Sequence, residues 1–308
     1  MEKGKKGISN GALPDTVWCW IFMAPAIVLF ILFQGWPIIK SFHYSLFDWS
    51  GVGENFKYIG FGNYLSVIKD SYFWNALFNN YYFTLLVVPL QMLFGLIFAV
   101  LLNERAGKLS NVYRTIYFLP VVTTAAIIGI IMSFLFSYDG PVTVLLSMLG
   151  LCKPGTSWLA NSGTAMNTTI VIYVWKNTGI SMVYWLAGLQ MISRDLYEAA
   201  KIDGCSEFKS FRYITLPLLV PIGAVITLLN IISSLKLFDL VKTLTDGGPF
   251  FKTDVVSVYM YRYAFSSTMG VPRIGYACAA AIVFGVSTIL VALLASFITG
   301  KIKSAYER

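Results

Sequence analysis

The sequence predicts an all-α, polytopic membrane protein with six transmembrane helices, on three observations. Of its 308 residues, 57% are hydrophobic and only 12% charged, with a mean hydropathy of +0.69; soluble domains carry charge on roughly a quarter of their residues. Six stretches are long and apolar enough to cross a bilayer, which takes about 20 residues. The 23 Lys and Arg residues gather in short clusters at alternate ends of these stretches, the bias that orients membrane helices.

The expected spans are residues 17–39, 76–102, 112–136, 167–190, 217–240 and 274–299. The first follows Lys3, Lys5 and Lys6, as a signal peptide would. Its apolar run is too long for one, and no small-x-small cleavage site ends it, so it reads as an uncleaved anchor. An inside N-terminus places segments 1–16, 103–114, 191–216 and 301–308 in the cytoplasm. They hold Lys3, Lys5, Lys6, Arg105, Lys108, Arg114, Arg194, Lys201, Lys209, Arg212, Lys301, Lys303 and Arg308, more than half of the 23 basic residues on about a fifth of the chain. The segments left outside, 40–75, 137–166 and 241–273, are rich in Gly, Ser, Asn, Trp and Tyr. Their Trp49, Tyr58 and Trp74, with Tyr81 and Tyr82, fit an interfacial aromatic belt or contacts with an outer partner. Asp246-Gly247-Gly248-Pro249 fits a tight turn.

Several classes are excluded. The net charge of +8 lies beside apolar spans rather than along one face, which argues for membrane orientation and against nucleic acid. Cys19, Cys152, Cys205 and Cys278 are far apart and form neither a zinc pattern nor a disulfide framework. With His43 the sole histidine, neither a metal site nor acid–base catalysis is expected, so the chain does not read as an enzyme. No G-x-x-x-x-G-K-[ST] loop is present, so the chain does not itself hydrolyse ATP in the usual way.

Polar groups inside membrane helices are costly unless they face protein or water. In the fourth span Tyr173, Trp175, Lys176, Asn177, Thr178 and Ser181 make a face too polar for lipid. In the fifth, Asn230, Ser233, Ser234 and Lys236 form a second patch, with Asp239 a possible i, i+3 partner for Lys236. Such sets suit a sugar, with aromatic faces for the ring and amide, hydroxyl and ammonium groups for its hydroxyls. Ser, Thr and Asn can equally hydrogen-bond between packed helices.

Between the fourth and fifth spans lies a polar interruption. Ser193 can cap a helix with Asp195 in its first turn, running through Glu198-Ala199-Ala200-Lys201-Ile202-Asp203 to Gly204. Ser206 can cap a second short helix, on which Phe208, Phe211 and Ile214 share one face, before Leu216-Pro217 opens the next span. This helix–bend–helix unit would strand Glu198 and Asp203 among headgroups, so a protein groove suits it better.

The segment closely resembles the cytoplasmic "EAA" loop of binding-protein-dependent ABC importer permeases: Glu-Ala-Ala, then Asp-Gly-Ala, later Leu-Pro. Cys205 stands where the family usually has Ala. Phe238-Asp239, Leu244-Thr245-Asp246-Gly247-Gly248-Pro249 and Tyr261-Arg262-Tyr263-Ala264-Phe265 resemble the MalF-type carbohydrate permeases, and the likeness covers roughly residues 20–300. The resemblance implies the ABC importer type I transmembrane fold: a tail at 1–16, a membrane domain at 17–300 with its core unit about 75–299, a coupling loop at 191–217 and a tail at 301–308. It implies ATPase coupling through Glu198, Ala199, Ala200, Asp203, Gly204, Phe208, Phe211, Leu216 and Pro217. A solute pocket is implied at Asn230, Ser233, Ser234 and Leu237 on the fifth span and at Tyr173, Asn177 and Ile180 on the fourth, beside Lys176; Val121, Thr124 and Ala125 on the third join the set. Implied partners are a second, MalG-like permease, two cytoplasmic ATPase subunits that bind ATP and Mg, an extracytoplasmic solute-binding protein and a carbohydrate, in a bacterial plasma membrane. Related permeases also carry glycerol phosphate or polyols. An ion-coupled secondary transporter would need buried carboxylates, and Asp239 is the sole one read as lying near a span.

Overall fold

The computed structural model describes residues 15–53, 56–104, 110–265 and 270–306; the tail before residue 15, with Arg105, Lys108 and Arg308, lies outside them. The first span is one helical rod: α1 (Asp15–Phe30), a π-helical turn (Ile31–Gly35) and α2 (Trp36–Ser45). Its α1 half is apolar on all sides and almost wholly exposed, as befits a segment solvated by lipid. A two-residue antiparallel pair, β1 (Phe47–Asp48) and β2 (Lys57–Tyr58), then leads into α3 (Gly62–Lys69). Asp70 is extended (ψ 113°) and its carboxylate accepts from the Tyr72 amide at 2.8 Å. That local cap lets α4 (Ser71–Glu104) start before the expected residue 76.

The third span is not one straight helix. α5 (Ser110–Val122) and α6 (Ala125–Leu135) meet at 95°. Pro120 has no N–H to give the preceding turn. Four β-branched residues follow it, Val121 to Thr124; Thr124 is extended (φ −61°, ψ 143°), and Thr123 Oγ1 bonds back to the Leu119 carbonyl at 3.3 Å. Apolarity alone, the basis of the expectation, is blind to such a break.

After α7 (Pro141–Met148) comes α8 (Ala165–Gln190), whose 26 residues make ~39 Å of helix. It is less apolar than Thr16–Ser45, Ser71–Asn103, Glu207–Leu235 and Ile274–Lys301, the other long helices of spanning length. The reason is its setting: Thr168, Thr169, Lys176, Thr178 and Ser181 are buried by neighbouring helices and need no lipid-compatible surface. Two short helices follow, α9 (Arg194–Ile202) and α10 (Glu207–Ser210). A π-helical turn (Phe211–Thr215) then runs into α11 (Leu216–Leu235).

α11 stops short of the expected residue 240. Asn80 Nδ2 donates to the Leu235 carbonyl at 3.3 Å, and the chain leaves the helix before α12 (Asp239–Leu244). Helical spacing is therefore lost between Lys236 and Asp239, and the ion pair possible there does not form, whereas Lys242–Asp246 and Arg262–Asp254 do. Helices α13 (Val256–Phe265) and α14 (Ile274–Tyr306) complete the fold. The Asn80 bond also sets the start of α4 beside the end of α11, at the opposite pole from α9 and α10.

The core lies between α4, α8 and α11. At the α9–α10 end it holds Ala99, Met182, Trp185, Leu189, Leu219 and Ile226; at the other, Phe83, Val87, Ile170, Val174, Leu240 and Val258. Apolar burial alone does not hold helices together in lipid, so close approach matters. At Gly179 a Cβ would stand 2.4 Å from the Tyr117 carbonyl oxygen, and only glycine lets α5 lie so close to α8.

Candidate functional site

The polar interruption folds as a bent helix pair with both caps formed. Ser193 Oγ accepts from the Asp195 amide at 3.3 Å, and Ser206 Oγ from the Lys209 amide at 3.4 Å. Gly204 takes φ +75°. The Cys205 amide reaches the Ala200 carbonyl at 2.8 Å and the Gly204 amide the Lys201 carbonyl at 3.1 Å, a closed left-handed helix stop. Cys205 enters that stop through its backbone, so a small side chain other than Ala is accommodated. Tyr197 Oη and Thr215 Oγ1 lie 2.9 Å apart and staple α9 to the base of α11; sequence reading missed this pair, whose only signal is a hydroxyl on each side of the bend. Glu198, Ala199, Asp203, Gly204 and Phe208 are exposed, while Ala200, Phe211, Leu216 and Pro217 are half-buried. Ile202 and Phe208 are 87% and 77% exposed, so the unit carries acids and large apolar side chains on free surface together, the composition of a docking face.

In the membrane region the expected polar residues divide into two groups. Tyr173, Lys176, Asn230, Ser234 and Leu237 are buried within this chain. Asn230 exchanges hydrogen bonds with Ser181, Nδ2 donating to Oγ at 3.1 Å, and Ser234 Oγ donates to Thr84 Oγ1 at 3.1 Å. Tyr173 packs edge-on to Phe83 at 5.0 Å. Lys176 Nζ donates to the Val121 carbonyl at 3.4 Å, at the C-terminus of α5, where freed carbonyls favour a cation. Thr124 and Ser233 are exposed, and Val121, Ala125, Asn177 and Ile180 half-exposed. These six keep accessible surface; the first five have almost none. Ser181 and Thr84, the partners that hold Asn230 and Ser234, were respectively read only as part of a polar face and not read at all.

Two carboxylates at the far pole, half-buried Asp70 and buried Asp254, were also missed. Asp70 Oδ2 accepts from Tyr259 at 2.6 Å, Tyr276 at 2.9 Å and Tyr263 at 3.3 Å. Burial pushes its carboxyl up, but these bonds and the one from the Tyr72 amide outweigh it and hold the group below its ordinary value. Burial and the Asp70 carboxylate push the Tyr259 phenol far up. Asp254, 0% exposed, takes a bidentate pair from Arg262 at 2.9 Å on each oxygen. Burial pushes the Asp254 carboxyl above its ordinary value despite Arg262. Asp239 is thus not the sole carboxylate near a span. Both new ones are locked in hydrogen bonds rather than arranged along a path, which suits bracing and not proton carriage. No group of three or more His, Cys, Asp or Glu that could hold a metal occurs among the described residues.

Residues 91–304 match the family described as "binding-protein-dependent transport system inner membrane component". The chain is 37% identical over 248 residues to the lactose transport system permease protein LacF of Rhizobium radiobacter, covering 80% of this chain and 83% of that one. It is 35% identical over 246 residues to the trehalose/maltose transport system permease protein MalF of Thermococcus litoralis, 79% and 82% covered. Its fold matches a chain of a bacterial ABC transporter involved in the import of the acidic polysaccharide alginate, with TM-score 0.78 and 25% identity over 94% of this chain and 98% of that one. A bacterial alginate ABC transporter in complex with an alginate pentasaccharide-bound periplasmic protein gives TM-score 0.79 at 25% identity, with 94% and 96% covered. The chain therefore belongs to the binding-protein-dependent transport system inner membrane components: it is a multi-pass permease subunit of an ABC importer, a transport component and not an enzyme.

Proposed function

We propose that this permease carries a sugar or oligosaccharide delivered by an extracytoplasmic binding protein, and is driven by ATPase subunits docked on α9 and α10. The observation that carries this reading is the exposed, doubly capped helix pair with Glu198, Asp203, Ile202 and Phe208 on its free surface. The names of the relatives, lactose and trehalose/maltose transport among them, support the solute class. In this reading Glu198 and Asp203 hold the unit in register in the ATPase groove, Gly204 sets the bend, and Phe208 with Phe211 anchors it. ATP and Mg sit on the partners. The termini and α9–α10 lie in the cytoplasm of a bacterial cell, as the clustered Lys and Arg favour.

The cavity is completed by a second, MalG-like permease. Thr124, Ser233, Asn177 and Ile180 face outward from this chain, and a sugar needs groups on more than one side to replace its water. Alternating access follows when closure of the ATPase pair swings the bent unit and, through α11, the wall at Asn230 and Ser234. The test is ATPase stimulation by the loaded binding protein, with sugar uptake, in proteoliposomes holding the full assembly. Glu198→Lys is expected to abolish both while the subunits still copurify. Intact stimulation and uptake in that variant would overturn the coupling role. Thermal stabilisation of the cognate binding protein by a neutral oligosaccharide is expected; stabilisation only by a non-sugar solute would overturn the solute class.

A further inference from the structure

Helix α3 carries two apolar faces, and this chain covers only one. Inward, Val67 is fully buried and Asn63 Nδ2 donates to the Ser45 and Phe47 carbonyls, each at 2.9 Å. Tyr64 Oη lies 2.6 Å from Ser45 Oγ. Outward, Phe61, Leu65 and Ile68 recur at helical spacing and are 67%, 59% and 51% exposed; Tyr72, 50% exposed, follows beyond the Asp70 bend at the start of α4 and packs edge-on to Phe251 at 5.1 Å. A helix standing in water would place polar residues there. Only Ser66 and Lys69 edge the stripe with polar groups, and a Lys stem can lie along an apolar surface while its ammonium reaches headgroups.

The stripe continues onto a membrane-spanning helix. Trp74 Nε1 donates to the Ile68 carbonyl at 2.7 Å, which joins the end of α3 to α4. From half-exposed Trp74 the apolar face runs down α4 through Phe78, Leu85, Leu93 and Ile97, each at least 41% exposed. Whatever solvates that face reaches α3 without interruption. The bend at Asp70 is held from the other side by Tyr259, Tyr263 and Tyr276, so α3 is fixed to α13 and α14 and does not swing freely.

We infer that α3 is an elbow helix seated at the headgroup–acyl boundary of the leaflet opposite α9 and α10, with Phe61, Leu65 and Ile68 against lipid. Aromatic residues at one end of the stripe and just beyond the other suit that depth.

The test uses the full assembly in lipid nanodiscs, with Cys19, Cys152, Cys205 and Cys278 replaced by Ser and an environment-sensitive fluorophore on Leu65→Cys or Ile68→Cys. Val52→Cys, in an 82% exposed turn position, is the aqueous control. Labels at Leu65 and Ile68 are expected to be quenched more by phosphatidylcholine carrying a nitroxide near the acyl carbonyl than by one carrying it near the chain end. Iodide should barely quench them, and the label at Val52 should show the reverse. Full iodide quenching at Leu65 and Ile68 would overturn the inference by placing α3 in water. Insensitivity to both lipid nitroxides and to iodide would overturn it by placing a protein partner there. Equal lipid quenching at Val52 would overturn it by removing the depth difference.

Discussion

Replacing Arg262 by Met removes the only cation paired with Asp254 among the described residues while keeping an unbranched side chain of similar reach. Asp254 has no exposed surface, and its backbone carbonyl is held by Asn79 Nδ2 at 2.9 Å, so it cannot turn outward to find water. Breaking a buried pair by removing one partner costs about 3–5 kcal/mol, because the other charge is left uncompensated. For a chain of this size that is a fall in melting temperature of roughly 5–8 °C. The pH dependence has a definite sign. The Asp254 carboxyl already sits above its ordinary value, so its contribution to stability is present below the unfolded value and lost as pH rises through the folded one. Losing Arg262 removes a lowering influence and widens that window upward, so the deficit of Arg262→Met should shrink on acidification. Melting followed by fluorescence-detected size exclusion at about pH 5 and about pH 8 reads both effects. Adding Asp254→Asn removes the stranded charge and should recover most of the loss. A residue of about 1 kcal/mol is expected to persist from the stacking of Arg262 on Phe251, at 4.7 Å. Parent-like melting of Arg262→Met, or a deficit independent of pH, would refute the account of the pair.

Asp70→Asn should cost about 2–4 kcal/mol, since three phenol bonds to a carboxylate become bonds to a neutral amide. The Asp70 carboxyl is held below its ordinary value, so the parent gains this stability above the unfolded value and loses it as pH falls through the folded one; melting of the variant should lack that acid-side drop. Gly179→Ala should destabilise by about 1–3 kcal/mol, because its Cβ meets the Tyr117 carbonyl rather than a mobile side chain. Gly285→Ala, where a Cβ would meet nothing within 4 Å, should melt like the parent or slightly higher.

What could be read from residues alone tracks how local its cause is. The caps at Ser193 and Ser206 and the stop at Gly204 depend on four or five consecutive residues, and all three stand where the spacing placed them. Four apolar spans were legible for the same reason. The bend between α5 and α6 had a local signal, Pro120 followed by four β-branched residues, but a window averaged for apolarity hides it. The pairing of the buried polar residues was illegible because its bonds join distant positions: Asn230 finds Ser181 49 residues away, and Ser234 finds Thr84 150 away. The same holds for Asp70, whose phenol partners lie 189 to 206 residues away on α13 and α14; Asp254 lies eight residues from Arg262, but the pair spans the start of α13 rather than one helix. Treating 40–75 and 241–273 as outer loops concealed that α4 begins at Ser71 and that the chain folds back over its start.

The staple between Tyr197 and Thr215 bears most directly on coupling. Residues Glu207–Leu235 form one helical run of 29 residues, ~43 Å long, that takes in the π-helical turn at Phe211–Thr215 and Pro221; in the proposed coupling, motion at α10 passes along it to Asn230 and Ser234. α9, which bears Glu198, is outside that run. It is tied to the run by the stop at Gly204 and by the hydroxyl pair at 2.9 Å. Tyr197→Phe keeps the ring and removes one neutral hydrogen bond, worth about 0.5–1.5 kcal/mol, too little to unfold the assembly and equivalent to a fall of about 1–2 °C in melting. With coupling through α9, the loss should appear as fewer sugars imported per ATP hydrolysed, because α9 can then yield without moving α11. Thr215→Val should give the same deficit, and the double variant should be no worse than either, since all three delete one bond. Uptake and ATP hydrolysis measured in the same proteoliposomes decide it. An unchanged ratio in both single variants would mean that force reaches α11 through α10 alone.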